Sequence, residues 1–487
     1  MTLYIVGLGP GDAGQLTRQA WEVLSAAKEV YLRTRVHPTV PYLPKSPLYH
    51  SFDELYEEAE DFEQVYTAIV ERLAARLATG EDVVYAVPGD PMVAERTVTR
   101  LLSVCRERQI EVKVINGISF IEPTLAALGI DALDGLQLVD ATELASAHHP
   151  PINPDYPALI AQLYGRRLAS EVKLTLMNQY PDEHPVTLVH AAGTPEQNVE
   201  VVPLYEMDRR TVAHLTTLYV PRYDPALEAV ASFEGFQETI AHLRAPDGCP
   251  WDREQTHQSL RPNLLEETYE VLEAIDAGDS EHLLEELGDL LLQVVLHAQI
   301  AVDEGEFHMA DVIRHIDAKI KRRHPHVWGN VDVNGDPERV TANWEQIKAQ
   351  ERDARGQGEH SLLDGVSAAL PALAQAHEYD ARARRVGFDW SSERGVVEKV
   401  QEEIGEILTA TTTEEHFREI GDLLLIIAVW ARWLKVNPED ALRAANRRFY
   451  NRFTYIERKV REQGRELKAL SPDELDALWN EAKQAVH

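Results

Sequence analysis

One seven-residue phrase occurs twice in this chain, as ELGDLLL at 286–292 and EIGDLLL at 419–425. Each copy sits at the same point of a larger repeated arrangement. Glu266, Glu267 and Glu270 precede Glu286 and Asp289 in the first copy, Leu264–Gln293. Glu402, Glu403 and Glu406 precede Glu419 and Asp422 in the second, Lys399–Leu425. Downstream, Lys319 and Arg323 stand four apart, then Trp344 and Lys348; the second copy answers with Arg448 and Arg452, then Trp479 and Lys483. Self-similarity on this scale marks a duplicated structural unit rather than a chance run of acids. That inference matters here, because 81 of 487 residues are acidic and carboxylates on helices are usually a solvated face.

Spacings of three and four place side chains on one face of a helix, so each copy is expected to form an acidic helix pair. Leu265, Tyr269, Leu272 and Ile275 form an apolar stripe on the first helix, and Leu283, Leu287, Leu290, Leu291 and Val294 on the second. Packing through these stripes would press the carboxylates together at a partly dry seam. Like charges in such a place raise one another's pKa, and a hard divalent cation relieves the repulsion. Mg2+ suits the task, because it takes a few carboxylates and keeps positions for water and phosphate.

Composition narrows the alternatives. A formal charge of −33 argues against nucleic acid or an anionic membrane as partner. Cys105 and Cys249 offer no disulfide framework and fit a reducing, cytoplasmic setting. No apolar run approaches the roughly 20 residues of a membrane span. The N-terminus runs straight into a strand and turn, unlike a signal peptide. A chain of this length predicts two to four domains.

Residues 1–222 alternate strand and helix, with a parallel start and a more β-rich second half. Strands are expected at Leu3–Val6, Glu29–Leu32, Val83–Val87, Glu111–Ile115, Leu136–Val139, Val172–Met177, Val186–Val189, Val199–Val202 and Thr216–Val220. One long amphipathic helix is expected over Phe52–Leu77. Three turns follow strands: GLGPGD at 7–12, PGDP at 88–91 and NGIS at 116–119. The first is no dinucleotide fingerprint, since Asp12 stands where the third glycine belongs. Together the turns resemble those of the tetrapyrrole (corrin/porphyrin) methylase family. The resemblance implies an S-adenosylmethionine site lined by Gly7, Gly9 and Pro10, by Gly89, Asp90 and Val93, and by Ser119 and Phe120. The chain departs from the family pattern at Ala94-Glu95, where a Tyr-Gly is usual, and at Asn116, where a proline is usual.

Residues 223–240 read as a joint, after which strand patterns vanish. Two all-α repeats are expected, at 233–352 and 362–487, joined by the polar stretch Ala354–His360. The fold class is therefore multidomain: an α/β domain followed by tandem helical bundles. His324 and His326 in HPHVW, and Cys249, read as packing residues.

Carboxylates with a metal, cations four apart and a tryptophan describe a nucleoside triphosphate site. Metal and cations grip phosphate, and the indole offers a stacking face worth ~1–3 kcal/mol. No Walker P-loop is present. GCPWD, LEETYEVL, ELGDLLLQVV, RRHPHVW, WEQIK, VGFDW and EIGDLLL closely resemble the MazG nucleoside triphosphate pyrophosphohydrolases, across both tandem domains. The resemblance implies Mg2+-dependent cleavage of NTPs to NMP and pyrophosphate, with metal held by Glu266, Glu267, Glu270, Glu286 and Asp289 and by Glu402, Glu403, Glu406, Glu419 and Asp422. Glu267 or Glu403 would take the water's proton. Lys319 and Arg323, or Arg448 and Arg452, would hold phosphates, and Trp344 with Lys348, or Trp479 with Lys483, would meet the nucleotide. It also implies a homodimer. An S-adenosylmethionine-dependent methyltransferase acting through residues 1–222 is the competing reading, and a scaffold with solvated acidic helices is a third.

Overall fold

The computed structural model describes residues 1–59, 61–223, 229–354 and 361–486. By its internal contacts the chain divides into two compact units, Met1–Arg314 and His315–His487.

The first unit begins with a parallel sheet built from β1 (Thr2–Gly7), β2 (Glu29–Leu32), β3 (Leu48–Ser51), β4 (Val83–Val87) and β5 (Glu111–Ile115). Their order is β3-β2-β4-β1-β5. β4 reads VVYAV and every residue is buried, as a parallel strand covered on both faces requires. Alternate residues serve opposite cores: Val83, Tyr85 and Val87 join one, Val84 and Ala86 the other. A second sheet holds β6 (Gln137–Asp140), β7 (Ala158–Ala161), β8 (Pro185–His190), β9 (Asn198–Pro203) and β10 (Thr216–Val220), in the order β6-β7-β10-β8-β9. Only the β6–β7 pairing is parallel.

Three local expectations are corrected. Val172–Met177 is no strand; it belongs to the Arg166–Leu176 helix and its turn-like end. The short alternation there is real, but over the longer window Leu168, Ala169, Val172 and Leu176 recur at helical spacing, and all four are buried. Phe52–Leu77 is two helices, Asp53–Glu58 and Phe62–Leu77, the second started by Asp61, whose carboxylate accepts from Gln64 N at 2.8 Å. The Phe233–Arg244 helix starts inside the expected joint, capped by Ser232. Asp155 accepts hydrogen bonds from Ala231 N and Ser232 N and so ties that start to the second sheet's domain. The Ala354–His360 linker falls largely outside the described residues.

The first acidic pair is Arg261–Ala277 and Ser280–Glu304. Gly278, at φ +68°, ends one helix, and Asp279 caps the next by accepting from Glu281 N and His282 N. A two-residue joint of this kind forces an antiparallel hairpin. The long helix then packs Val295, Leu296 and Ile300 against Ile240 and Leu260.

The second unit repeats the pair as Glu393–Thr409 and Thr413–Trp433, the latter opened by a Thr412/Glu415 capping box. Val396, Ile426 and Val429 form its core with Trp390, Trp430 and Trp433. Arg432 is nearly buried between Asp380 and Asp389, reaching Asp389 Oδ1 at 2.8 Å. The Pro438–Glu462 and Pro472–Ala485 helices meet through Ile456, Val460 and Ala482.

The apolar stripes are corrected too. Each helix pair does pack together, but in the first Val271 and Ala274 are buried, while Leu265 is 55% and Ile275 54% exposed. Leu287 is half exposed, and Leu291 and Val294 are exposed as well. The helices carry apolar residues on two faces, and a single chain buries one of them.

Candidate metal and nucleotide sites

Within the first pair, Glu267, Glu270 and Glu286 each present a carboxylate oxygen within 4.8 Å of the others. Glu286 is buried, 7% exposed, and its Oε2 has no hydrogen-bond partner. Its Oε1 lies 2.8 Å from His282 Nε2. Desolvation, then the charges of Asp289, Glu270 and Glu286, push the Glu267 carboxyl above its usual range. Asp289 acts there as a charge neighbour, and Glu266 is exposed on the flank.

The second pair repeats the triad with Glu403, Glu406 and Glu419, again within 4.8 Å. Glu403 is 4% and Glu419 7% exposed, and Glu403 Oε2 is buried without a partner. Burial, then Glu403 and Glu419, raise the Glu406 carboxyl. Two cations that sequence reasoning passed over sit on this cluster. Lys399 Nζ lies 2.9 Å from Glu402 and 2.8 Å from Glu403, and Arg418 reaches Glu419 at 2.6 Å. The signal was present in the text: a lysine three residues before Glu402, an arginine just before Glu419. Glu402 and Asp422 are exposed.

Clustered carboxylates, partial dryness and an orphaned buried oxygen in each triad together fit a hard divalent cation. No other described side chains fill that need for Glu286 Oε2 and Glu403 Oε2.

The expected phosphate and base contacts lie mostly within the second unit's helices. Arg323 Nη2 meets Glu351 Oε2 at 2.6 Å, and Arg322 meets Oε1 at 2.7 Å. These hydrogen bonds, Arg323 first, hold the Glu351 carboxyl down at about 2. Lys319 is half-buried on the same helix as Arg323. Lys348 Nζ stands 4.8 Å over the Trp344 ring, and Trp344 Nε1 is buried without a partner. His324 packs its ring on Trp344 at 5.5 Å and holds Nδ1 2.7 Å from Ile320 O. In the second repeat Arg452 Nε is buried and unpartnered, Arg448 is exposed, Trp479 packs on Phe449 at 5.4 Å, and Lys483 reaches Asn480.

In the N-terminal half, the three glycine turns cross one another. Gly9 and Gly89 exchange backbone hydrogen bonds at 3.2 and 2.8 Å. A Cβ on Gly7 would stand 2.6 Å from Gly89 O and Gly117 N, so no larger residue fits. Asp90 is buried and accepts from Gly117 N and Asn116 Nδ2, both at 3.1 Å. Asn116, the departure from proline, therefore has a tethering role. Beside the turns lies a cavity of about 720 Å3, lined by Pro10, Gly89, Asp90, Val93, Ser119 and Phe120 among others. Gly7 and Gly9 are not in its lining; they bring the turns together. Sequence reasoning missed Arg33, which crosses the cavity wall to the buried Glu95 at 2.7 Å. Glu95 accepts also from Thr97 Oγ1, and Ala94 before it holds φ +57°.

The comparisons with known proteins follow this division. Residues 2–208 match the tetrapyrrole (corrin/porphyrin) methylases, and residues 255–328 match the MazG nucleotide pyrophosphohydrolase domain. The nucleoside triphosphate pyrophosphohydrolase/pyrophosphatase MazG of Thermotoga maritima is 44% identical over 256 residues, covering 53% of this chain and 97% of that protein. The nucleoside triphosphate pyrophosphohydrolase of Escherichia coli is 42% identical over 251 residues, covering 50% and 94%. The protein YabN of Bacillus subtilis is 44% identical over 491 residues, 99% of this chain and 98% of its own length. A methylase-type α/β domain with crossing glycine turns, continued into duplicated acidic helix pairs, thus belongs to the MazG nucleoside triphosphate pyrophosphohydrolase family in the two-part form of YabN.

Proposed function

We propose that the chain hydrolyses nucleoside triphosphates to nucleoside monophosphate and pyrophosphate with Mg2+, using the duplicated carboxylate triads. The observation that carries this reading is the orphaned, buried oxygen of Glu286 and of Glu403, each inside a triad of mutually repelling carboxylates. Glu266, Glu267, Glu270, Glu286 and Asp289, and their counterparts Glu402, Glu403, Glu406, Glu419 and Asp422, hold the metal. When bound, Mg2+ supplies charge neutralisation for the triphosphate and lowers the pKa of a coordinated water. Glu267 takes the proton of the water aimed at the α-phosphorus, and Glu403 stands at the same position in the second repeat. The O–P bond to the β-phosphate oxygen breaks, and pyrophosphate leaves with that electron pair. Lys319, Arg323, Arg448 and Arg452 neutralise phosphate, and Trp344, Lys348, Trp479 and Lys483 meet the nucleotide. The functional modules are taken as 1–222, 233–352 and 362–487.

The exposed Leu265, Ile275, Leu287 and Leu291 of the first pair, and Ile404, Leu408, Ile420 and Leu424 of the second, support a homodimer that covers the second apolar face. Both cysteines are unpaired, which suits a reducing cytosol; no helix of the described residues is long and apolar enough to cross a membrane. The second reading, S-adenosylmethionine bound in the N-terminal half, is favoured by the cavity beside the glycine turns.

The test is pyrophosphate release from a panel of NTPs and dNTPs, with and without Mg2+. Metal-dependent NMP plus pyrophosphate supports the hydrolase. Silence across the panel, with clean binding of S-adenosylmethionine, moves the function to residues 1–222.

A further inference from the structure

The two triads align residue for residue, but their immediate neighbours do not. Three residues before the first glutamate stands Asn263 in one copy and Lys399 in the other. Just before the buried glutamate of the second helix stands Glu285 in one and Arg418 in the other. The difference is one unit of charge at the first place and two at the second. Both cations of the second copy are at contact distance: Lys399 bridges Glu402 and Glu403, and Arg418 holds Glu419. Among the described residues of the first unit, the basic side chain at contact distance from the first triad is His282, on Glu286.

We infer that the two repeats differ in their demand for metal: the first triad is the high-affinity divalent-cation site, and the second is balanced by Lys399 and Arg418 and loads a cation only at much higher concentration. This deepens the proposed hydrolase reading and rests on it. A cation entering the second triad must displace or face the positive charges of Lys399 and Arg418 in contact with it, whereas the first triad's own helices set only His282 against its carboxylates. Glu403 Oε2 keeps an oxygen for the metal, so the second site is weakened rather than abolished. At limiting metal, hydrolysis therefore runs on the first repeat.

The experiment titrates Mn2+ alone into the full chain and counts free ion by electron paramagnetic resonance. Binding is expected in two classes whose affinities differ by about tenfold or more, the scale for charges this close at intermediate dielectric. Glu270→Gln should remove the tight class and Glu406→Gln the weak one. Exchanging the neighbours supplies variants that keep every triad residue. Lys399→Asn with Arg418→Glu should tighten the weak class about tenfold, and Asn263→Lys with Glu285→Arg should loosen the tight one. Far-ultraviolet circular dichroism checks that each remains helical. Indistinguishable classes, a tight class lost through Glu406→Gln, or exchanges that move neither class would overturn the inference. Absence of any Mn2+ binding would instead remove the metal-dependent reading beneath it.

Discussion

The first and second acidic helix pairs carry the same carboxylates at the same spacing, yet they balance their charge in opposite ways. In the first copy no lysine or arginine of the triad's own two helices lies on it among the described residues, while the basic helix end that follows is engaged: Arg322 and Arg323 both grip Glu351. In the second copy the acids are held by Lys399 and Arg418, while Arg452 Nε is buried without a partner. The duplicated triads thus keep their carboxylates within 4.8 Å of one another but diverge in the basic groups beside them. A buried charge must be compensated by something, and in the second copy Lys399 and Arg418 do so.

The comparison can be broken most forcefully at the triads themselves. Glu270→Gln together with Glu406→Gln should lower pyrophosphate release by about a thousandfold or more, since metal stabilisation of the developing charge is worth several kcal/mol. Unchanged turnover in that double variant would remove both copies from the chemistry. Next comes the second copy's own support. Arg432→Met leaves the buried Asp380 without the cation that pairs it, and should cost about 3–5 kcal/mol; calorimetry should show the loss in the second unit's transition and not in the first's. A smaller effect tests the engaged basic end. Glu351→Gln removes the charge that occupies Arg322 and Arg323, and should lower KM for triphosphate a few-fold, whereas Arg323→Ala should raise it about tenfold, the worth of one charge-assisted contact. A KM that ignores both would take Arg323 out of the substrate's reach.

The smallest effect is in pH. Glu267 and Glu406 have folded pKa values above the ordinary 4.5, so the folded state takes up protons before the unfolded one. Their repulsion costs stability at neutral pH and is relieved as pH falls toward 4.5; metal-free protein should melt slightly higher at mildly acid pH, and metal should erase the difference. Glu351 runs the other way. Its carboxyl is held at about 2, so its contribution is complete above 4.5 and drains as pH falls through about 2. Thermal melts from pH 8 to pH 2 separate the two, and a monotonic loss from neutrality would contradict the first.

Much of this was legible in the residues. The duplication is a property of the text, and so are the glycine turns, whose steric need at Gly7 and Gly117 leaves one residue type. β4 announces itself because five consecutive apolar residues, closed by the Pro88-Gly89 turn, fit a strand covered on both faces. The family and the fold class followed from such local, repeated signals. The stripes misled because a helix with two apolar faces gives no sign of which one its own chain will bury. Val172–Leu176 misled because a short window satisfies both periods.

By itself, then, the sequence determined the order of the architectures, the two acidic helix pairs and the glycine turns themselves, since each depends on spacing within a few residues. Only the tertiary structure decided which carboxylates meet, that Glu286 and Glu403 keep a dry unpaired oxygen, and that Arg323 turns to Glu351. Those outcomes hang on distances of a few ångströms between side chains from different helices, where the balance of desolvation and Coulomb energy is set and where linear spacing carries no information.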